Sequence, residues 1–210
     1  MIRILLAEDH AVVRRGVVDI LREYRQPMEI DEARTVQETL RLLHTKKFNL
    51  LILDISFPDG NGLELYQQMK QISPNTKCLF LTMYPEERYA RRVFRAGAHG
   101  YITKDRAAEE LLQAIETILS GGKFITHSLA ELLIEELDPK NLQPHEHLSN
   151  RELQVALALA DGEKSSSIAE RLSLSPKTVS TYRRRILKKL DLDSTADLVR
   201  YVLTHGLGED

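Results

Sequence analysis

Cysteine occurs once in the 210-residue chain, at Cys78, so no intramolecular disulfide can hold it together. It stands in the apolar run CLFL, where a thiol packs as a small buried hydrophobe. No apolar stretch approaches the roughly 20 residues of a membrane span. The opening MIRILLAED also lacks the long apolar core and small-residue cleavage site of a secretory signal. The expectation is a soluble, cytoplasmic protein with no membrane partner. A charge excess of one sign is absent too. The net charge of -2 gives no general attraction to polyanions, so any nucleic-acid surface has to be local. No glycine-rich phosphate loop is present, which removes the usual nucleotide cradle. With 42% hydrophobic and 29% charged residues the composition is globular rather than disordered, and the length suits two domains.

What is there begins with an alternation. Ile2 to Ala7 is a short, partly β-branched apolar run and reads as a buried strand. From Ala11 to Tyr24, residues Val12, Val13, Val17, Ile20 and Leu21 fall at helical spacing. Strand patterns recur at Met28 to Ala33, Phe48 to Leu53, Lys77 to Leu81 and Gly100 to Thr103. Helical patterns recur at Val36 to Leu43, Leu63 to Gln71, Glu86 to Ala96 and Ala107 to Leu119. Strands apolar on both faces and separated by helices predict a doubly wound, five-stranded parallel sheet over residues 1–120. Such sheets bind ligands at the carboxyl ends of their strands.

The residues at those ends form a coherent set. Glu8 and Asp9 follow the first strand, Asp54 ends the third, Thr82 the fourth and Lys104 the fifth. Each has a plainer role when taken singly. An Asp at a strand end can cap the next helix, Glu8 and Asp9 can be solvated loop charges, and Lys104 can be a surface lysine. Together, in order and on separate strand ends, they point to chemistry. Carboxylates at close quarters repel unless a hard cation joins them, and few protein ligands with open positions suit Mg²⁺. A carboxylate can also attack phosphorus to give an acyl phosphate. Phosphoryl transfer then needs little beyond positioning and neutralisation of the phosphoryl oxygens. Lys104 would supply charge and Thr82 a hydrogen bond, which makes Asp54 the candidate phosphorylatable nucleophile.

The motifs LLAEDH, LLILDISFPDGNGLEL, LFLTMY and AGAHGYITKD resemble those of the receiver domain of bacterial two-component response regulators. The resemblance covers roughly residues 1–120 and implies a flavodoxin-like fold. It also implies a sensor histidine kinase as phosphodonor, Mg²⁺ near Glu8, Asp9 and Asp54, and phosphorylation of Asp54. In similar proteins the hydroxyl at Thr82 senses the phosphoryl group and passes the change to an aromatic on strand five, here Tyr101. Ser56 and Tyr84 stand where similar receivers tune the lifetime of the phosphoryl group. Phe57 replaces a common Met and Asp105 a common Pro; neither substitution removes a reacting group. Gly62 and Gly97 are expected at turns or helix ends.

After Gly121-Gly122 the pattern changes. Leu129 to Leu137 can form a short amphipathic helix, and Asp138 to His147, DPKNLQPHEH, reads as a flexible or extended spacer. His145 and His147 lack the companions of a metal site. The expected division is a receiver at 1–120, a linker at 121–147 and a small all-α domain at 148–210. In that last domain Ser149 and Glu152 match a capping box, and a helix follows to Ala160. A second helix spans Ser166 to Leu172. A third opens with Ser175 as N-cap and Pro176 at the first position. A fourth begins at Ser194. Two short helices joined by a tight turn make a helix-turn-helix, with the third helix as reader. Val179, Ile186, Leu187 and Leu190 are expected to face the core. From Lys177 to Lys189 there are six basic residues and no acidic one, a local positive patch. Phosphates would meet Lys177, Thr178, Tyr182, Arg185 and Lys188, and base edges would meet Ser180, Thr181 and Arg184.

Residues 148–207 closely resemble the LuxR-type helix-turn-helix, most specifically in SPKTVSTY. Similar proteins often carry a basic residue where Ser180 stands, so base preference there stays open. The resemblance implies a dimer contact on the last helix, for which Leu198, Val199, Val202 and Leu203 could supply the apolar stripe; the plainer role of these four is to close the domain's own core, and some can do both. The whole chain resembles a response regulator of the NarL/FixJ branch. The implied function is a transcription factor that binds double-stranded DNA, as a homodimer when phosphorylated. It is not expected to be an enzyme beyond self-phosphorylation from a donor and slow self-dephosphorylation. A phosphatase with an aspartyl-phosphate intermediate would usually carry a second Asp at position 56, where this chain has Ser56. A regulator without phosphate control is the remaining rival, and the intact acidic set argues against it.

Overall fold

A computed structural model of the chain describes residues 1–135 and 143–207, and the side chains of 132–135 lie outside that description. The chain divides into two compact units, Met1–Leu132 and Leu133–Asp210. Among the described residues no helix is long and apolar enough to cross a membrane.

In the first unit, β1 (Ile2–Ala7), β2 (Met28–Ala33), β3 (Leu50–Leu53), β4 (Lys77–Thr82) and β5 (Gly100–Thr103) form one sheet in the order β2-β1-β3-β4-β5. Every pairing in it is parallel. The intervening helices are α1 (Ala11–Arg22), α2 (Val36–Thr45), α3 (Gly62–Ile72), α4 (Glu86–Arg95) and α5 (Ala107–Leu119). All four residues of β3 are fully buried, as expected of a central strand covered on both faces. One face packs Ile4, Leu6, Leu50, Ile52, Leu79, Leu81 and Ile102 with Val17 and Leu21 of α1 and Leu111, Ile115 and Ile118 of α5. Each such side chain contributes about 1.5–3 kcal/mol on burial. A two-residue antiparallel ladder, Ser56–Phe57 with Gly60–Asn61, was not expected; it folds the segment after Asp54 back on itself. Val12 departs from the expected apolar face. It is 86% exposed, because α1 buries Arg14, Val17 and Leu21, and a residue two before Arg14 lies on the opposite side of a helix.

After α5 comes α6 (His127–Glu135), which starts two residues before the expected Leu129. Thr126 explains the earlier start: its Oγ1 accepts from the Leu129 N–H at 3.2 Å and its carbonyl from Ala130 N–H at 2.9 Å. The expected end at Leu137 and the spacer residues 138–142 lie outside the described residues. The spacer reading fails for Pro144–His147, which forms a 3₁₀ turn. His145 is buried there, and its ring nitrogen Nδ1 lies 3.1 Å from the Tyr201 hydroxyl. An imidazole that finds both an aromatic neighbour and a hydroxyl in the helical unit packs there instead of staying in solvent.

That unit contains α7 (Asn150–Ala160), α8 (Ser165–Arg171), α9 (Pro176–Leu190) and α10 (Thr195–Thr204). Ser149 and Glu152 form the reciprocal capping box, and Ser175 and Ser194 cap α9 and α10 through their hydroxyls. Asp191 ends α9 in the left-handed region at φ 55°. α9 packs on α7 and α8, and α10 packs on α7. Val179, Ile186 and Leu190 are buried as expected, while Leu187 is half-buried.

Glu152 is buried and accepts from Lys189 Nζ at 2.6 Å and from Ser149 N–H at 2.7 Å. Burial pushes its pKa up, but the bonds from Lys189 and Ser149 outweigh that and hold it below the ordinary value of 4.5. A carboxyl lowered in the folded state gives stability above its unfolded value, and loses it as pH falls through the folded one. Glu152→Gln is therefore expected to destabilise the helical unit by about 2 kcal/mol at neutral pH. The gap to the unsubstituted protein should close as the medium is acidified below the ordinary carboxyl range. Urea titrations of the full chain, read by amide exchange in α7 at neutral and acid pH, check both the loss and its pH dependence.

Candidate functional site

The parallel register brings the strand tips together. Asp54 N–H donates to Ala7 O at 3.0 Å, and Glu8 N–H to Ala33 O at 3.0 Å, so both carboxylates leave the sheet at the same rim. Lys104 follows β5 directly and reaches back across that rim. Its Nζ lies 2.7 Å from Asp54 Oδ2 and 2.7 Å from Glu8 Oε2. All three side chains are nearly inaccessible to solvent. Burial, followed by repulsion from Asp54, raises the Glu8 pKa despite the Lys104 ammonium beside it. For Lys104, burial works against the charge, but Asp54 and then Glu8 outweigh it and its pKa is raised. Glu8, Asp9, His10 and Asp54 each place a ligand atom within 4.8 Å of the others. Three carboxylates, from Glu8, Asp9 and Asp54, are the hard oxygen ligands that suit a divalent cation of the Mg²⁺ type.

Local sequence fixes this geometry. Arg14 donates from Nη1 to the carbonyls of Glu8 at 3.0 Å and Asp9 at 3.3 Å, and from Nε to Glu32 at 2.9 Å. Sequence reasoning missed this residue, although a charged side chain on the buried stripe of α1 was the available signal. His10 was missed too; its Nδ1 lies 2.8 Å from Asp9 Oδ1. Asp54 Oδ1 accepts from the Ile55 N–H at 2.6 Å, leaving Oδ2 to Lys104. Gly62, the first residue of α3, stands against the strand tip: a Cβ there would lie 2.0 Å from the Asp54 carbonyl oxygen and 2.9 Å from Ile55 Cα. Its role is close backbone approach. Asn61 caps the same helix by accepting from Leu63 N–H at 2.8 Å.

Thr82 ends β4 fully buried, and its Oγ1 accepts from the Tyr84 N–H at 3.5 Å. Tyr101 is also fully buried. Its hydroxyl donates to Tyr84 O at 2.7 Å and lies 3.4 Å from Pro85 O. Burial, with Tyr89 and Asp54 nearby, pushes that phenol well above its ordinary pKa, so it remains a donor. Tyr84 meets Ser56 Oγ through its own hydroxyl at 3.1 Å and packs its ring 4.9 Å from that of Tyr89. Glu8, Asp9, Asp54 and Lys104 thus share one pocket, while Thr82, Tyr84 and Tyr101 form a linked series beside it.

In the helical unit, Lys177, Ser180, Thr181, Arg184, Arg185 and Lys188 of α9 are exposed, and Thr178 and Tyr182 are half-buried. Ser180 Oγ donates to Pro176 O at 3.0 Å and Thr181 Oγ1 to Lys177 O at 3.0 Å. Both bonds run back to the carbonyl one turn earlier, and because a Ser or Thr hydroxyl rotates to suit its partner, either side chain can still donate or accept outward. Lys189 leaves the outward patch, since it pairs with the buried Glu152 and also donates to His147 O at 3.2 Å. The apolar stripe of α10 divides between the two roles open to it. Leu198 and Val202 are buried inside their own unit, at 0% and 3% exposure, and have no surface to offer a second copy. Val199 is half-buried and Leu203 is 64% exposed. The cause is the packing of α10 on α7, which uses the inner half of the stripe.

Comparison with known proteins follows the same division. Residues 4–116 match the response regulator receiver domain family, and residues 146–202 match the bacterial regulatory proteins of the luxR family. The chain is 34% identical to response regulator GacA of Pseudomonas aeruginosa over 99% of its length and 98% of the relative's. It is 32% identical to response regulator UvrY of Escherichia coli K12, over 99% of this chain and 96% of that one. A two-component response regulator of the LuxR family from Aurantimonas sp. SI85-9A1 matches at TM-score 0.58 and 33% identity, covering 64% of this chain and 96% of that chain. At the level of fold alone, RcsB of Salmonella typhimurium matches at TM-score 0.72 and 22% identity, over 97% of this chain and 98% of its own.

The crowding at Gly62 makes the pocket sensitive to a single methyl group. Gly62→Ala is expected to destabilise the first unit by about 3 kcal/mol, the upper range for overpacking. The added Cβ must push the Asp54 backbone aside, so amide exchange at Asp54 and Ile55 should rise along with the loss in urea resistance. Wild-type exchange and stability in this variant would refute the close-approach role.

Proposed function

Because the chain belongs to the LuxR-type response regulators, a receiver domain followed by a helix-turn-helix DNA-binding domain, we propose that it is a transcription factor switched by phosphorylation of Asp54. The observation that carries this reading is the buried Asp54 carboxylate at the strand tip, gripped by Lys104 beside Glu8 and Asp9. The donor is a sensor histidine kinase. An Asp54 carboxylate oxygen forms the new P–O bond as the P–N bond of the phosphohistidine breaks, and the imidazole leaves with the bonding pair.

Glu8, Asp9 and Asp54 would hold Mg²⁺, which when bound neutralises charge on the phosphoryl oxygens. The chain's own residues do the rest. Lys104 already points its ammonium at Asp54 Oδ2 and can follow the charge as it spreads onto the phosphoryl group. Thr82 donates its hydroxyl to a phosphoryl oxygen, which draws on the loop at Tyr84. Tyr101, bonded to Tyr84 and Pro85 carbonyls, must follow or let go. The phosphoryl group so shifts a pre-existing equilibrium between two loop arrangements. Self-dephosphorylation times the signal, and no external substrate is turned over.

The output is DNA binding by α9, with two copies reading a two-fold site. Val199 and Leu203 are the outward part of the α10 stripe that could join them. Lys177, Thr178, Tyr182, Arg185 and Lys188 hold phosphates. Arg184 supplies donors for a base edge, and the hydroxyls of Ser180 and Thr181 can donate or accept there.

The test is recovery of genomic DNA fragments by purified full chain, with and without Mg²⁺ and a small phosphodonor. Specific fragments should strengthen only with the donor, and Asp54→Ala should take up no phosphoryl group and show no strengthening. Equal recovery under all conditions would refute the switch. Arg184→Ala should cost about 1–3 kcal/mol on the preferred sequence and relax preference at one position. An equal loss on every sequence would make it a phosphate contact instead.

A further inference from the structure

A second polar cluster, with Glu86 and Thr126 buried and Ser128 exposed at its edge, lies in the first unit, apart from the residues around Asp54. Glu86 opens α4 and is only 7% exposed. Its carboxylate accepts from Thr126 Oγ1 at 2.8 and 2.9 Å and from Ser128 Oγ at 2.7 Å. Arg106 Nη1 stands at 4.0 Å. Thr126 is itself buried, and the same Oγ1 accepts from Leu129 N–H to cap the first turn of α6. Just upstream, Phe124 N–H donates to His99 O at 2.8 Å, which fixes the chain beside β5 before the cluster begins. The start of α6 is therefore tied at two points, and one of them is a side chain of α4.

The position of Glu86 gives the tie its meaning. It follows directly on Tyr84 and Pro85, whose carbonyls face the Tyr101 hydroxyl at 2.7 and 3.4 Å. One short stretch of backbone thus carries both the anchor of the buried aromatic and the carboxylate that holds α6. A buried carboxylate stripped of its donors is heavily penalised. If the 84–86 backbone moves, Glu86 must either carry Thr126 and Ser128 with it or break away and reach water. Both outcomes disturb the first turn of α6, and neither requires contact between the two units.

We propose that Glu86, Thr126 and Ser128 form a latch through which the first turn of α4 controls the start of α6, the helix from which the chain continues toward the helix-turn-helix. The latch rests on the phosphorylation reading only for what opens it; its existence is a property of the unphosphorylated chain.

Amide hydrogen exchange of residues 129–131 in the full chain tests it. Glu86→Ala removes the carboxylate but leaves the Thr126 cap in place, and exchange there should rise by about tenfold or more. Tyr101→Phe leaves Glu86, Thr126 and Ser128 in place and removes only the hydroxyl that bonds the Tyr84 and Pro85 carbonyls; it should also raise exchange at 129–131 if the loop and α6 are coupled. Exchange in α3 serves as the folding control in both. In unsubstituted protein treated with a small phosphodonor and Mg²⁺, the mass gain reports Asp54 phosphorylation and the same amides should quicken. Unchanged exchange in Tyr101→Phe, or in chain shown by mass to be phosphorylated, overturns the latch as a relay. Failure to gain mass overturns the phosphorylation reading instead, and the Tyr101→Phe arm then decides the latch by itself.

Discussion

Three carboxylates crowd one rim of the sheet, and the ammonium of Lys104 is what lets two of them be buried there. At 2.7 Å from both Asp54 and Glu8, it replaces much of the water each would lose. A buried ion pair or triad is not by itself a gain in stability, because desolvation can exceed the attraction. Its value here is placement. The ammonium holds Asp54 Oδ2 on one side while the Ile55 N–H holds Oδ1 on the other, so the carboxylate keeps one orientation. Remove the lysine and two anions face each other out of reach of solvent. Burial and the neighbouring Asp54 raise the Glu8 pKa even with the ammonium beside it.

The surroundings serve that placement. Parallel pairing delivers Asp54 and Glu8 at one level, Arg14 ties down the carbonyls of the acidic loop, and Gly62 lets α3 begin against the Asp54 backbone. From the same rim a hydrogen-bonded series leads outward through Thr82, Tyr84 and Tyr101 to the first turn of α4. A disturbance at the tip of β4 has a physical route to that turn because Thr82 and Tyr101 are buried, Tyr84 is half-buried between them, and each leans on the next. Packed interiors answer a local change with rearrangement rather than gradual deformation.

The helical unit solves a different problem. A chain with net charge of -2 must gather positive charge on one helix if it is to meet a polyanion. The helix α9 does so on its outer face, while Lys189 turns inward to neutralise Glu152. That inward pair joins α9 to the N-terminal cap of α7, so the orientation of α9 and the stability of the unit share a contact. Ser180 and Thr181 bond back to their own helix, and that bond must yield before either hydroxyl can donate elsewhere.

Much of this was legible in order along the chain. Apolar runs between helical patterns implied the parallel sheet, and a parallel sheet places strand ends together. Glu8, Asp9, Asp54 and Lys104 could therefore be assigned to one rim without coordinates. The capping box at Ser149 and the Ser175-Pro176 start were equally readable, because caps are local chemistry. Contacts between distant segments were not readable. His145 looked like spacer until Tyr201 met it, Leu198 and Val202 looked like an outward stripe until α10 packed on α7, and nothing at Glu86 announced Thr126 and Ser128. The sequence alone determined which chemical groups stand at strand ends and helix starts, since periodicity and capping act over a few residues. Only the tertiary structure decided which faces are spent on packing and which buried charges find partners, since burial and pairing depend on segments far apart in the chain.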